Sequence, residues 1–319
     1  MTQTAAAMTA MTSEPPLARR RALFVSWISH HARSEQLADA LGAECVFIAV
    51  GTLRNRRTTV FRHFWQAVLT LRLLLRRRPR VLIVMAPPAP LLLLALVWSR
   101  LTRSKLVADC HSGAVIGRPL SARLAARTDL VIVTLPQLTT GFPRAVPVHD
   151  PLVRVPSAPR HDEIVFPASW EVDEPVHALL DAARALPDQA FAITGRPTAG
   201  LDVPPNVRLT GFLSRVEYLA LLAGAPVVLA LTTEEDTMQQ AGYEAMAAGR
   251  PVVASDTRAL RSYLGDAAVY SEATASGLTA AVTGALARLP ELERAAALVR
   301  EQQRAEFARV LAEIGERLT

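Results

Sequence analysis

Lysine is almost missing from this 319-residue chain: Lys105 stands alone beside 34 arginines, a bias that a GC-rich genome produces without functional demand. Cysteine is nearly as scarce. Cys45 and Cys110 form no C-x-x-C pair and sit in or beside apolar runs, which argues against a disulfide framework and predicts two buried, reduced thiols in a cytoplasmic protein. Aromatics make up 5% of the residues, with no helix-turn-helix, zinc-knuckle or aromatic RNP pattern, so nucleic acid is not expected as a partner despite a formal charge of +6. Long apolar runs are also lacking. Residues 91–98 are the most apolar stretch, but Pro87, Pro88 and Pro90 precede them and Arg100 and Arg103 follow. That falls well short of the ~20 residues a membrane-spanning helix needs and reads as a buried or interfacial helix. Residues 1–18 lack the basic and apolar regions of a signal peptide; small, polar and proline-containing, they are expected to be a disordered lead. No G-x-G-x-x-G joins a strand to a helix, which argues against a dinucleotide-dependent dehydrogenase. The adjacent His30 and His31 do not supply three ligands at metal spacing, and no metal is expected.

What is present is alternation and a charge asymmetry. Residues 1–150 hold 20 Lys and Arg against 7 Asp and Glu, hence +13, whereas residues 151–319 hold 15 against 22, hence −7. The length suffices for two domains, each with its own core. Short apolar strands at residues 22–26, 44–50, 81–85, 105–108 and 130–133 alternate with helical patterns, and the second half repeats this from residue 164 onward. Such alternation predicts α/β domains with parallel sheets covered on both faces. Residues 143–159, rich in proline, read as the linker. The boundaries are then 19–150 for the first domain and 151–302 for the second, with 303–319 a C-terminal helix.

The most informative stretch is residues 232–255, TTEEDTMQQAGYEAMAAGRPVVAS. An acidic cluster (Glu234, Glu235, Asp236) leads into a small-residue helix bearing Glu244, then a Gly-Arg-Pro stop and an apolar strand. That order suits gripping a sugar nucleotide. A helix N-terminus offers unpaired N–H groups to a diphosphate, and a carboxylate two turns along can accept from ribose hydroxyls. The segment resembles the donor-site signature of GT-B-fold glycosyltransferases, especially family 4, in which E-x7-E precedes G-x-P-V-V. Here it reads Asp236-x7-Glu244, and either Asp236 or Glu235 fills the first-carboxylate role.

The resemblance implies two Rossmann-like domains facing across a cleft, a last helix (residues 303–319) that packs back on the first, and transfer from a nucleotide-diphosphate sugar with retention, without cofactor or metal. Glu244 would take the ribose, Asp236 and Glu235 the sugar, and the backbone of Thr237 and Met238 the diphosphate. Where family members commonly carry Gly-Arg after the first strand of the second domain, this chain has Ser169 and Trp170. Arg196, beside Gly195, is the candidate replacement for the missing phosphate clamp, the alternative being a solvated loop charge. Phe212 follows another strand and is either near the base or a buried packing residue. His111, after residues 105–108, looks like the cleft histidine of retaining enzymes, oriented by Asp109, or else caps the next helix.

On the acceptor side stand His30, His31 and Arg33, with Asn55, Arg56 and Arg57 as weaker candidates; solvated surface is the alternative. The segment from Phe61 to Arg80 interleaves aromatics, leucines and arginines. It reads as a contact to an anionic membrane at the inner face of the cell membrane, or as a sheet-covering helix with a basic solvated face. The function expected is sugar transfer to a saccharide or lipid-linked acceptor in cell-envelope or polysaccharide biosynthesis. A nucleotide-sugar 2-epimerase and a degenerate, non-catalytic partner subunit are the rivals.

Overall fold

The computed structural model describes residues 15–18, 21–51, 56–110, 118–235 and 237–318. Asp236, His111 and Asn55 therefore lie outside the described residues, as do the side chains of Arg56 and Arg57. The chain forms two compact units, one running to Pro151 and resuming at Ala305, the other Leu152–Arg304.

The first unit is a six-stranded sheet in the order β2-β1-β3-β4-β5-β6, parallel throughout. Its strands are β1 (Ala22–Ser26), β2 (Glu44–Phe47), β3 (Val81–Met85), β4 (Lys105–Cys110), β5 (Leu130–Val133) and β6 (Ala145–Pro147). Helices α1 (Ala32–Leu41), α2 (Arg56–Arg77), α3 (Ala89–Thr102) and α4 (Pro119–Ala125) connect them. Every residue of β1 and β3 is buried, as strands covered on both faces require. Strand β6 corrects the linker expectation, because it lies inside the proline-rich stretch and pairs with β5. Proline is tolerated there because β6 is an edge strand and Pro147 ends it.

Helix α2 turns the usual amphipathic arrangement around. Gln66, Thr70 and Leu74, one turn apart, are buried, while Phe61, Phe64 and Leu75 stay more than half exposed. The buried polar groups are matched: Gln66 Nε2 donates to the carbonyls of Trp27 (3.2 Å) and Ile48 (2.7 Å), and Trp27 Nε1 donates to Thr70 Oγ1 at 2.8 Å. The outer face is therefore apolar as well as basic.

The second unit has the sheet order β12-β11-β10-β7-β8-β9, again all parallel. It comprises β7 (Ile164–Phe166), α5 (Val176–Ala185), β8 (Phe191–Thr194), β9 (Val207–Gly211), α6 (Arg215–Gly224) and β10 (Val228–Ala230). There follow α7 (Gln240–Ala248), β11 (Val252–Ser255), α8 (Arg258–Leu264), β12 (Ala268–Ser271), α9 (Ala275–Ala287) and the first half of α10 (Leu289–Arg317). One core cluster packs α5 and α9 against the sheet through Leu179, Leu180, Leu278 and Val282. Each such fully buried leucine or valine contributes about 1.5–3 kcal/mol. Leu292 and Ala296 of α10 are buried in the second unit's cores; farther along, Val310, Leu311 and Ile314 join Leu17, Leu37 and Leu41 in the core of the first. Among the described residues no helix is long and apolar enough to cross a membrane.

Candidate active site

In open parallel sheets ligands bind beyond the carboxyl ends of strands, where the strand order reverses. In the second unit that point falls between β7 and β10, since β8 and β9 continue to one side and β11 and β12 to the other. A cavity of about 620 Å³ opens there. It is lined by the segments after β7 (Ala168, Ser169), β8 (Gly195) and β9 (Phe212, Leu213), and by Gln240 and Glu244 of α7. Four of the residues singled out from sequence, Ser169, Gly195, Phe212 and Glu244, thus meet in one place.

Glu244 is 1% exposed yet lines the cavity. Two neighbours on α6 hold it: Arg215 Nη1 donates to Oε1 at 2.6 Å, and the Tyr218 hydroxyl donates to Oε2. Burial, reinforced by this carboxylate, raises the Tyr218 pKa far above the ordinary phenol range, so the hydroxyl stays protonated and donating. A carboxylate has about four acceptor positions, so room remains for a ligand's hydroxyls. Arg215 is half exposed and is the one cation among the described residues lining the cavity. Arg196, by contrast, is exposed and does not line it. Phe212 is 81% exposed, which removes its reading as a buried packing residue.

The helix N-terminus lies later than the sequence suggests. Gln239 caps α7 in an extended conformation without a side-chain bond, so the free first-turn N–H groups are those of Gln240 and Ala241 rather than of Thr237 and Met238. Thr237 and Met238 precede the helix, and the Met238 side chain fills the space over Gly242, where a Cβ would meet its methyl at 2.8 Å. Glu235 faces α8 instead of the cavity: its carboxylate accepts from the Arg258 N–H at 3.2 Å, and its carbonyl from Ala259 at 3.4 Å.

A carboxylate not anticipated from sequence occupies the turn after β7. Glu174, buried, accepts from the Ser169 N–H (3.0 Å to each oxygen), the Ser169 hydroxyl (2.8 Å) and the Trp170 N–H (2.7 Å). The N–H groups that could have faced a diphosphate are thereby engaged. Gly195 is required by its neighbours: its φ is +84°, and a Cβ would come within 2.4 Å of the Ala168 carbonyl oxygen and 2.8 Å of the Trp170 ring. Neither Glu174 nor Arg215 carries a sequence signal, because each sits in a pattern that reads as helix-flanking charge.

In the first unit the corresponding strand ends hold the other candidates. His30 is exposed and pairs with Glu35 at 3.3 Å; His31 opens α1, with Nδ1 2.9 Å from the Ser34 hydroxyl. Arg33 departs from the expected loop position. It is 4% exposed and bonds Asp109 (3.3 Å), the Val148 carbonyl (3.0 Å) and Asp150. Asp109, buried beside it, is thus a partner of Arg33. Cys110 is buried and Cys45 half-buried, and burial raises both thiol pKa values, that of Cys45 to about 11.

Comparison with known proteins adds the family. Residues 161–288, the strands and helices that build the cavity, match the family described as Glycosyl transferases group 1. No curated protein sequence matches the chain. Among solved structures, HepE of Anabaena in complex with UDP and glucose superposes with a TM-score of 0.69 at 13% identity, covering 92% of this chain and 98% of that one. A glycosyltransferase of Rickettsia africae gives 0.68 at 11%, covering 93% and 98%. The UDP-GlcNAc 2-epimerase of Neisseria meningitidis gives 0.58 at 11%, covering 93% and 91%. These likenesses carry the fold, two six-stranded Rossmann-like units on the GT-B plan, and the second unit is similar to the family of group 1 glycosyl transferases.

Proposed function

We propose that the chain transfers a sugar from a UDP-sugar to a saccharide or lipid-linked acceptor, with retention of configuration. The observation that carries this is the cavity at the strand-order reversal, where a buried carboxylate, an uncapped helix N-terminus and one arginine converge. HepE, of the same fold, holds UDP and glucose. In this reading Glu244 accepts the ribose hydroxyls, and the Gln240 and Ala241 N–H groups with Arg215 neutralise the diphosphate. Phe212 and Leu213 border the base, while Asp236 and His111 attend the donor sugar. Front-face attack assisted by the leaving diphosphate needs no protein nucleophile; positioning and charge stabilisation are the protein's share.

The acceptor belongs to the first unit, with His30 and His31 at its strand ends. The apolar, arginine-flanked outer face of α2 supports contact with an anionic leaflet, and hence an acceptor of cell-envelope or polysaccharide biosynthesis. A 2-epimerase is the second reading, favoured by the fold match to such enzymes; it would turn over UDP-GlcNAc without an acceptor. The test is thermal unfolding against a panel of nucleoside diphosphates and nucleotide sugars. UDP and one UDP-sugar are expected to raise the melting temperature, by roughly 2.7 kcal/mol of added stability at a hundred times Kd. No shift with any of them would turn the reading to a non-catalytic partner.

A further inference from the structure

At the opposite, amino-terminal edge of the first unit's sheet lies a second cavity, of about 700 Å³. The ends of α2 and α3, the starts of β3 and β4 and Leu318 just past α10 surround it, with Arg78, Arg80, Arg103 and Lys105 and no acid among the described residues that line it. Among the described residues none of these four cations makes an ion pair. Helix C-termini favour cations, which accounts for Arg78 and Arg103 but not for Arg80 and Lys105, which stand at the entrances of strands. Lys105 is the chain's only lysine. Arg78 and Arg103 adopt φ of 45° and 58°, a backbone region where glycine is the default and arginine is disfavoured.

Trp98 also lines the cavity; it is 7% exposed, and its indole N–H has no acceptor among the described residues. A buried donor without an acceptor is costly. A smaller cavity, of about 330 Å³, shares Arg103, Ser104 and Lys105 and adds Arg100 and Arg127; its one acid, Asp129, already accepts from the Leu106 N–H at 2.8 Å.

Unpaired cations around a cavity of this size fit a tetrahedral dianion better than a carboxylate, because guanidinium forks match phosphate oxygens and two negative charges offset more of the repulsion. We propose that this cavity binds a phosphate group, at a site separate from the donor pocket. The phosphate comes either from an anionic lipid headgroup, which the exposed Leu75 at the rim would suit, or from a soluble phosphate compound.

Because Lys105 is the only lysine, acylation of its peptide, followed by mass spectrometry, reports on the two cavities it lines, and Arg80, which lines only the larger, tells them apart. Inorganic phosphate, or vesicles containing phosphatidic acid, is expected to slow acylation at least fivefold relative to chloride at equal ionic strength. Arg80→Gln should raise the phosphate concentration needed for that protection at least tenfold, and Arg215→Ala in the donor pocket should leave it unchanged. Protection by inorganic phosphate would identify a soluble ligand; protection by phosphatidic acid vesicles alone, absent with phosphatidylcholine, would identify a lipid headgroup. Equal rates in phosphate, vesicles and chloride would overturn the proposal, and so would protection that survives in Arg80→Gln with its melting temperature unchanged.

Discussion

Glu244→Ala is expected to weaken UDP binding at least a hundredfold and to lower turnover by a similar factor, while the protein remains folded. Two hydroxyl hydrogen bonds to a buried carboxylate are worth roughly 1.5–3 kcal/mol each, and about 2.7 kcal/mol already corresponds to a hundredfold. The substitution also removes the acceptor of the Tyr218 hydroxyl and the partner of Arg215. Arg215 is half exposed and can be hydrated; the phenol is more enclosed, so a stability loss of about 1–3 kcal/mol should accompany the change. Arg215→Ala gives the complementary pattern. If the guanidinium serves the diphosphate, affinity for UDP falls at least tenfold while affinity for uridine, which has no phosphate, stays the same. Titration calorimetry with both ligands separates the two substitutions. Full UDP affinity in Glu244→Ala would discard the donor-site reading, and equal losses for UDP and uridine in Arg215→Ala would assign Arg215 to holding Glu244.

The largest effect on stability should come from Arg33. Its guanidinium joins three segments: Asp109 at the end of β4, Val148 and Asp150 just beyond β6, and α1, from which it projects. Arg33→Met keeps the volume but leaves Asp109, wholly buried, without its cation. Removing one member of a buried pair typically costs about 3–5 kcal/mol, because a desolvated charge remains. A loss below about 1 kcal/mol in urea melts at pH 7.5 would show that the carboxylates find another solution.

The same substitution should alter the pH dependence through His149. Burial first, and Arg33 second, lower its pKa from 6.5 to about 4, partly offset by Asp150 and Glu306. A histidine whose folded pKa is depressed binds its proton in the unfolded chain first, so stability declines as pH falls from about 6.5 toward 4. Without the guanidinium the folded pKa rises, and the variant, though less stable, should lose less over that window.

Much of the architecture is legible from alternating apolar runs, because parallel strands buried on both faces need them and the intervening helices do not. Periodicity does not reveal which face of a helix meets the sheet. In α2 the apolar stripe of Phe61, Phe64 and Leu75 is as regular as a core stripe, yet Gln66 and Thr70 point inward, where the carbonyls of Trp27 and Ile48 and the Trp27 indole satisfy them. At the site, Glu244 is legible because the small-residue run and its Gly-Arg-Pro stop mark the helix that carries it to the cavity. The partners of Glu244 are not, since Arg215 and Tyr218 lie more than twenty-five residues upstream and meet it through sheet order. Glu174 was hidden for the same reason: a carboxylate folding back on two N–H groups is a property of a turn's conformation, with no residue pattern of its own.

The path of α10 bears on how the protein is made. Leu17, Leu37 and Leu41 share a core with Val310, Leu311 and Ile314, so the first unit is translated long before the residues that complete it. At ribosomal speeds of about 5–20 residues per second, the intervening second unit takes roughly 8–30 s to synthesise. Throughout that interval the nascent first unit presents an unfilled apolar groove, a binding site for chaperones that vanishes when α10 arrives.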